Sequence, residues 1–322
     1  VNLTKKYAFK STSLVNAILR KIEKKDYKDL FLIENIEEKI SKIYSMPKWL
    51  VEELLKEYSV KEVEDICKFS NEKPKTTIRI NLLKISKENF LKKLKELKLE
   101  YEETEIENYL HIKNVKNIGE LDLFKEGFFA VQDVGAGKIG LMLAPKAGER
   151  VLDACSEIMK NDGKIVASDV YKHRIKLVEE NAKRLGINII ETYEQDATIL
   201  NEDFIQKFDK VLIDVPCLGF GVMKRKPDVK WQRKKEDIEE IIKIQFEILK
   251  NSVKYLKVGG EIVYSTCSIL KNENEAIIEK WLKSAREEEI KTHIRYEIEK
   301  VEKILPGKNT DGFFICKIIR IS

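Results

Sequence analysis

The chain has 322 residues, 43% hydrophobic and 36% charged, enough for about two domains of the usual ~100 to 200 residues each. Net charge is +5, the small difference between 60 basic and 55 acidic residues, which describes an ion-paired surface and is weak ground for a polyanion partner. Five cysteines without CxxC spacing and only three histidines argue against a disulfide framework, a metal centre and a histidine-based triad, and no apolar run nears the ~18 residues a bilayer crossing takes.

The first stretch, "VNLTKKYAFKSTS", has no apolar leader, so a cytoplasmic protein is expected. "SLVNAILRKI" reads as one amphipathic helix that cannot make a core alone, the remnant of a helical domain over residues 1–30. Two helices follow, "IEEKISKIYS" and, after Pro47, "KWLVEELLKEY". "TTIRINLLK" reads as a strand, "SKENFLKKLKELKL" as a helix capped by Ser86, and "YLHIK" as a short strand. These make a mixed α/β domain over residues 31–126.

From residue 127 to 322 strands and helices alternate: "GFFAVQD", "GAGKIGLMLA", "ERVLDAC", "GKIVASD", "HRIKLVEENAKRLG", "INIIETYEQD", "FDKVLIDVP", a long helix from about Glu236, "EIVYSTC", "NENEAIIEKWLKSA" and "DGFFICKII". That rhythm predicts a mostly parallel sheet with helices on both faces. Three strands end on carboxylates, Asp169, Asp196 and Asp214, which points to a ligand crevice, and Asp169 suits a ribose diol. Gly135, Gly137 and Gly140 spell GxGxxG, to be read either as a dinucleotide fingerprint or as packing glycines at a helix start. The run Val222–Lys235 holds Lys224, Arg225, Lys230 and Trp231, a basic stretch with an aromatic that suits phosphate contact and base stacking. Gly259 and Gly260 read as a turn before the strand that ends at Cys267.

"DVPCLGFG" places Asp214 and Cys217 at one strand end and "IVYSTCS" places Cys267 at another, so two thiols and a carboxylate converge on one crevice. Without metal spacing, nucleophilic catalysis is the chemistry that uses such a set. These motifs, with "KPKTTIRIN", "FFAVQD", "PKAGERVLDAC" and "LPGKNTDGFFICKI", closely resemble the Sun-type RNA 5-methylcytosine methyltransferases. The resemblance covers nearly all of the chain from about Ser45 onward. It implies a class I methyltransferase fold of the Rossmann-like α/β type, S-adenosylmethionine as cofactor, and RNA as partner, small-subunit ribosomal RNA before transfer RNA. No membrane and no obligate protein partner is implied.

The resemblance assigns Cys267 to attack on carbon 6 of cytosine and Cys217 to product release, with Asp214 stabilising the adduct. It gives Asp169 the cofactor's ribose, Asp196 the adenine, and Asp214 the methionine side. The family follows its first methyltransferase strand with a Cys-Ala-Ala-Pro-Gly-Gly-Lys-Thr turn and a helix. Here Cys155 is all that remains of that loop, and only Ser156–Lys164 separates two parallel neighbours, fewer residues than the ~10 to 12 of a crossover with its helix. The expectation from this departure is weakened cofactor binding, with a catalytically impaired RNA-binding relative as the alternative.

Overall fold

The computed structural model describes residues 2–23, 33–115, 117–152 and 159–322. Contacts divide the chain into two units, Val1–Glu52 and Glu53–Ser322. The first holds α1 (Asn2–Tyr7), α2 (Thr12–Glu23) and α3 (Ile36–Tyr44), and α4 (Lys48–Leu55) spans the division. Asn35 caps α3 by accepting from the N–H of Glu38 at 2.7 Å, and Pro47 precedes α4 as expected.

The second unit opens with α5 (Val60–Ser70), started by a reciprocal capping box between Ser59 and Glu62. Next come β1 (Thr76–Ile80), α6 (Lys87–Glu96, capped by Ser86), β2 (Tyr101–Glu103), β3 (Tyr109–Ile112), α7 (Asp122–Lys125) and β4 (Phe129–Val131). These strands form an antiparallel four-stranded sheet in the order β2-β3-β1-β4. Phe90 and Leu94 of α6 pack on Ile78, Ile80, Leu110 and Phe129. Each such side chain, once fully buried, contributes roughly 1.5–3 kcal/mol.

The remaining elements are α8 (Val134–Leu143), β5 (Arg150–Leu152), β6 (Lys164–Asp169), α9 (Lys172–Leu185), β7 (Ile190–Glu194), β8 (Phe208–Asp214), α10 (Val229–Gln232), α11 (Asp237–Ser252), β9 (Leu256–Thr266), α12 (Glu275–Thr292), β10 (Tyr296–Ile304) and β11 (Phe313–Arg320). Their strands make a seven-stranded sheet in the order β10-β11-β9-β8-β5-β6-β7. Every pairing from β9 to β7 is parallel, and only β10 and β11 run against their neighbours. Alternate residues of β9 serve opposite cores: Ile262 and Tyr264 face one cluster with α11 and α12, and Val263 faces another with Ile139 and Leu143 of α8. The expected α/β architecture, a mostly parallel sheet sandwiched by helices after a smaller mixed domain, is the one observed.

Two local readings change. Gly259 and Gly260 lie inside β9 instead of forming a turn, and a register shift against β8 beside them absorbs the positive φ of 77° at Gly259. The GxGxxG glycines belong to α8 and serve packing, since a Cβ at Gly137 would fall 2.6 Å from the ring of Tyr109. The Tyr109 hydroxyl donates to Gln132 at 2.7 Å, so that ring is not free to swing away. Among the described residues, no helix is long and apolar enough to cross a membrane.

Gly137→Val is therefore expected to lower the free energy of unfolding by roughly 1–3 kcal/mol through overpacking, read from the midpoint of a urea titration.

Candidate active site

Strands β6 and β7 lie to one side of β5, and β8 and β9 to the other. The chain reverses direction across the sheet at that point, so helices diverge there and a crevice opens beyond the carboxyl ends of β5 and β8. A cavity of about 630 Å³ occupies this place, lined among others by Leu152, Asp169, Asp196, Asp214, Pro216 and Ile248. Its size falls within the ~300–1,000 Å³ of ordinary ligand sites.

The three strand-end acids thus meet in one cavity, each held differently. Asp169 accepts the N–H of Tyr171 at 2.8 Å, with Arg174 at 3.5 Å. Asp196 closes an Asx turn, taking both the N–H and the hydroxyl of Thr198 on Oδ1, and these bonds hold its carboxyl below the usual range. Asp214 is open to the cavity but surrounded by protein on its other sides, and this enclosure raises its pKa against the opposing hydrogen bond from Ser265 at 3.1 Å. Three aspartates against one arginine suit a nucleoside-type ligand that carries positive charge. Cys155 lies outside the described residues.

Asp214 pairs with Ser265 across β8 and β9, so the two strands leave the sheet at one level. Cys217 lies three residues past the first and Cys267 directly follows the second, and their sulfurs are 3.0 Å apart. Both thiols are free and half-buried. The hydrogen bond to Cys267 and then burial push the Cys217 thiol well above its ordinary range. Cys67 and Cys316 are the contrast: fully buried, each is pushed up to about 12 by burial and is inert. Gly221 explains the glycines after Cys217. It donates to the carbonyl of Cys267 at 2.9 Å and accepts from Gly312 at 2.8 Å, and a Cβ there would meet the Gly312 oxygen at 2.1 Å.

The basic run has a different setting from the one its composition predicts. Lys224 is enclosed, donating to the Gly307 carbonyl at 2.9 Å and lying 3.5 Å from Asp311. Arg225 bridges Asp311 and Asp133 and donates to the Lys75 carbonyl at 3.1 Å. Lys230 is buried against Asn71. These cations tie elements together because a buried charge needs a partner. Trp231, 65% exposed, faces solvent with no such tie among the described residues, while Arg225 is exposed in part despite its ion pairs. Sequence reasoning passed over Gln245, Glu273 and Asn274, each fully buried beside the thiol loops.

Residues 140–319 match the family model described as 16S rRNA methyltransferase RsmB/F, and residues 46–118 match the ferredoxin-like domain of RsmF/B-like methyltransferases. The chain is 34% identical to the probable ribosomal RNA small subunit methyltransferase B of Bacillus subtilis (strain 168), over 95% of this chain and 73% of that protein. It is 31% identical to ribosomal RNA small subunit methyltransferase B of Shewanella oneidensis, over the same shares. The crystal structure of PH0851 superposes with a TM-score of 0.81 at 30% identity, covering 89% of this chain and 68% of that one. NSun6 from Pyrococcus horikoshii with SFG shares the fold, with a TM-score of 0.77 at 21% identity over 87% and 100% of the two chains.

The raised pKa of Asp214 has a sign that can be tested. Its ionised form is disfavoured in the folded state, so stability is lost as pH rises from the unfolded carboxyl value through the higher folded one. Asp214→Asn lacks this loss. The variant is expected to gain in melting temperature relative to the parent chain as pH rises above the ordinary carboxylate range, with the two converging at the acid end.

Proposed function

The chain belongs to the RsmB/F family of ribosomal RNA methyltransferases, which depend on S-adenosylmethionine, and from that premise we propose that it methylates carbon 5 of a cytosine in RNA. Small-subunit ribosomal RNA is the proposed substrate, the cytoplasm the proposed location, and the reaction runs through a transient bond from Cys267 to carbon 6. The observation that carries this reading is the pair of sulfurs 3.0 Å apart at the edge of a cavity containing Asp214.

Carbon 5 of cytosine is too weak a nucleophile to take a methyl group unaided. Addition of the Cys267 thiolate forms the S–C6 bond and drives the ring's double-bond electrons toward carbon 5 and the ring nitrogen, giving an enamine-like carbon. Asp214 is assigned a hydrogen bond to that nitrogen, which spreads the developing charge. Bound S-adenosylmethionine supplies an electrophilic methyl group. Release needs the C5 proton removed and the S–C6 bond broken, with electrons returning to the Cys267 sulfur.

Cys217 suits the proton removal because of what holds its proton beforehand. The largest cause of its raised pKa is the bond to Cys267, and that cause ends when the Cys267 sulfur becomes a thioether. Cys217 then loses its proton more readily and can take the one from carbon 5. For the cofactor, Asp169 is assigned the ribose hydroxyls, Asp196 the adenine and Asp214 the methionine side, an acidic lining that fits a ligand cationic at sulfur and at its amino group. The target base must leave its stack to reach the sulfurs, and exposed Trp231 is assigned to its path.

Cys217→Ala is expected to accumulate a covalent protein–RNA adduct on a denaturing gel, while Cys267→Ala gives neither adduct nor methyl transfer. Appearance of the adduct with Cys267→Ala would reverse the two roles.

The alternative expected from the sequence, a catalytically impaired RNA-binding relative, makes a different prediction for cofactor binding. Calorimetry separates the two. Micromolar affinity for S-adenosylmethionine is expected of the enzyme, and salt-sensitive RNA binding with no detectable cofactor affinity would make the chain an RNA-binding relative.

A further inference from the structure

Both reacting thiols sit on loops, and loops alone do not hold two atoms to within the ~0.5 Å that a catalytic pair demands. The polar groups beneath them supply the hold. Glu273, with no exposed surface, accepts the N–H of Leu218 at 2.8 Å and an amide proton of Gln245 at 3.1 Å on one oxygen, and the hydroxyl of Ser268 on the other. Leu218 follows Cys217 and Ser268 follows Cys267, so one carboxylate grips the residue after each thiol.

The residues before the thiols are held as well. Gln245 donates its second amide proton to the Pro216 carbonyl at 2.9 Å, leaving its own buried Oε1 without a partner. Asn274 accepts the Thr266 hydroxyl at 2.6 Å and donates to the Ser268 carbonyl at 3.1 Å. It precedes α12, where an asparagine ordinarily caps its own helix, yet its side chain makes no cap bond there. Each cysteine therefore lies between two anchored neighbours, and Glu273 is a side chain that bonds to both loops.

We propose that Glu273 is a positioning residue that keeps the Cys217 and Cys267 sulfurs together by joining the loop after β8 to the loop after β9. A buried carboxylate is an unfavourable way to fill a core, and burial does raise the pKa of Glu273. An apolar side chain of the same size would pack there at lower cost but would leave the Leu218 N–H and the Ser268 hydroxyl without acceptors, and the loops joined only by the backbone bond from Gly221 to the Cys267 carbonyl. The inference rests on the two-thiol reading above, so its test includes a measurement that needs no methyl transfer.

The first arm is kinetic. Glu273→Ala is expected to lower kcat by roughly 10²-fold, the size of effect that follows a misplacement of about 1 Å, with KM for RNA and cofactor within about threefold of the parent. Glu273→Gln should recover most of the rate, because its amide oxygen still accepts from Leu218 and its NH2 can donate to the Ser268 hydroxyl. The second arm is chemical. Diamide oxidises two adjacent thiols to a disulfide and is itself reduced to the hydrazine, taking up both thiol protons, so the rate of intramolecular Cys217–Cys267 cross-linking reports how well the loops are held. That rate is expected to fall roughly tenfold in Glu273→Ala and to return in Glu273→Gln. Folded Glu273→Ala with unchanged cross-linking overturns the inference, even where methyl transfer is absent from every variant. Should Glu273→Ala not fold, Gln245→Leu carries the same test: it frees Pro216 and removes one donor to Glu273, and slower cross-linking supports the inference while parental cross-linking overturns it.

Discussion

The parallel pairing of β8 with β9 is the constraint on which the site depends. Because Ile213 pairs with Tyr264 and Asp214 with Ser265, both chains leave the sheet side by side, and the cysteines that follow have little choice but to meet. A shift of one residue along either strand would turn every inward side chain outward, and Tyr264, Val263 and Val211 are all fully buried, so the cores on both faces lock that register. The reversal of strand order beside β8 opens the cavity in the same place. The helices over the sheet thus serve the site by fixing a register, and the 3.0 Å between sulfurs is the end of a chain of causes that begins in apolar burial.

Charge does other work here than composition implies. With 60 basic and 55 acidic residues, most surface ion pairs contribute little, but several around the site are enclosed and join distant segments. Arg225 links Asp133 at the start of α8 to Asp311 before β11, and Lys224 holds the Gly307 and Thr310 carbonyls of the same terminal segment. Near the thiols, both Glu57 oxygens accept the Lys271 N–H at 3.0 and 2.9 Å, and the Tyr58 hydroxyl donates to the Ile269 carbonyl at 2.6 Å. The loop after Cys267 is thereby braced by the segment before α5 as well as by Glu273.

The central strands and the thiol pair were legible because their signals are local. An apolar run closing on Asp169, Asp214 or Cys267 carries its own reading, and Pro-Cys and Thr-Cys-Ser motifs are short and specific. Strand β10 escaped notice because "YEIEKVEKI" alternates charge with apolar residues on an antiparallel edge, where no continuous apolar run forms. Glu273, Gln245 and Asn274 escaped for a different reason. A polar residue in sequence reads as solvated, and only the arrangement of β8, β9, α11 and α12 reveals that these three are enclosed. Lys224 and Lys230 were misjudged by the same rule, since a cation's partner can lie 87 residues away, as Asp311 does from Lys224, and periodicity does not report it.

The sulfur contact also sets an order on the proposed reaction. Two unit charges 3.0 Å apart repel by roughly 5 kcal/mol at an effective dielectric near 20, so the two thiols do not ionise together. Ionisation of Cys217 is opposed by its bond to Cys267 and by burial, so the proposed attack is given to Cys267, and a roles-reversed enzyme would have to ionise the disfavoured sulfur first. Once carbon 6 has taken the Cys267 electrons, the repulsion that forbade a second thiolate is gone. The attacking step therefore prepares the releasing step, and the base for carbon 5 is withheld until there is an adduct to release. A single thiol could open this sequence but not time its close, and a pair held much farther apart would lose the coupling that keeps the second sulfur protonated.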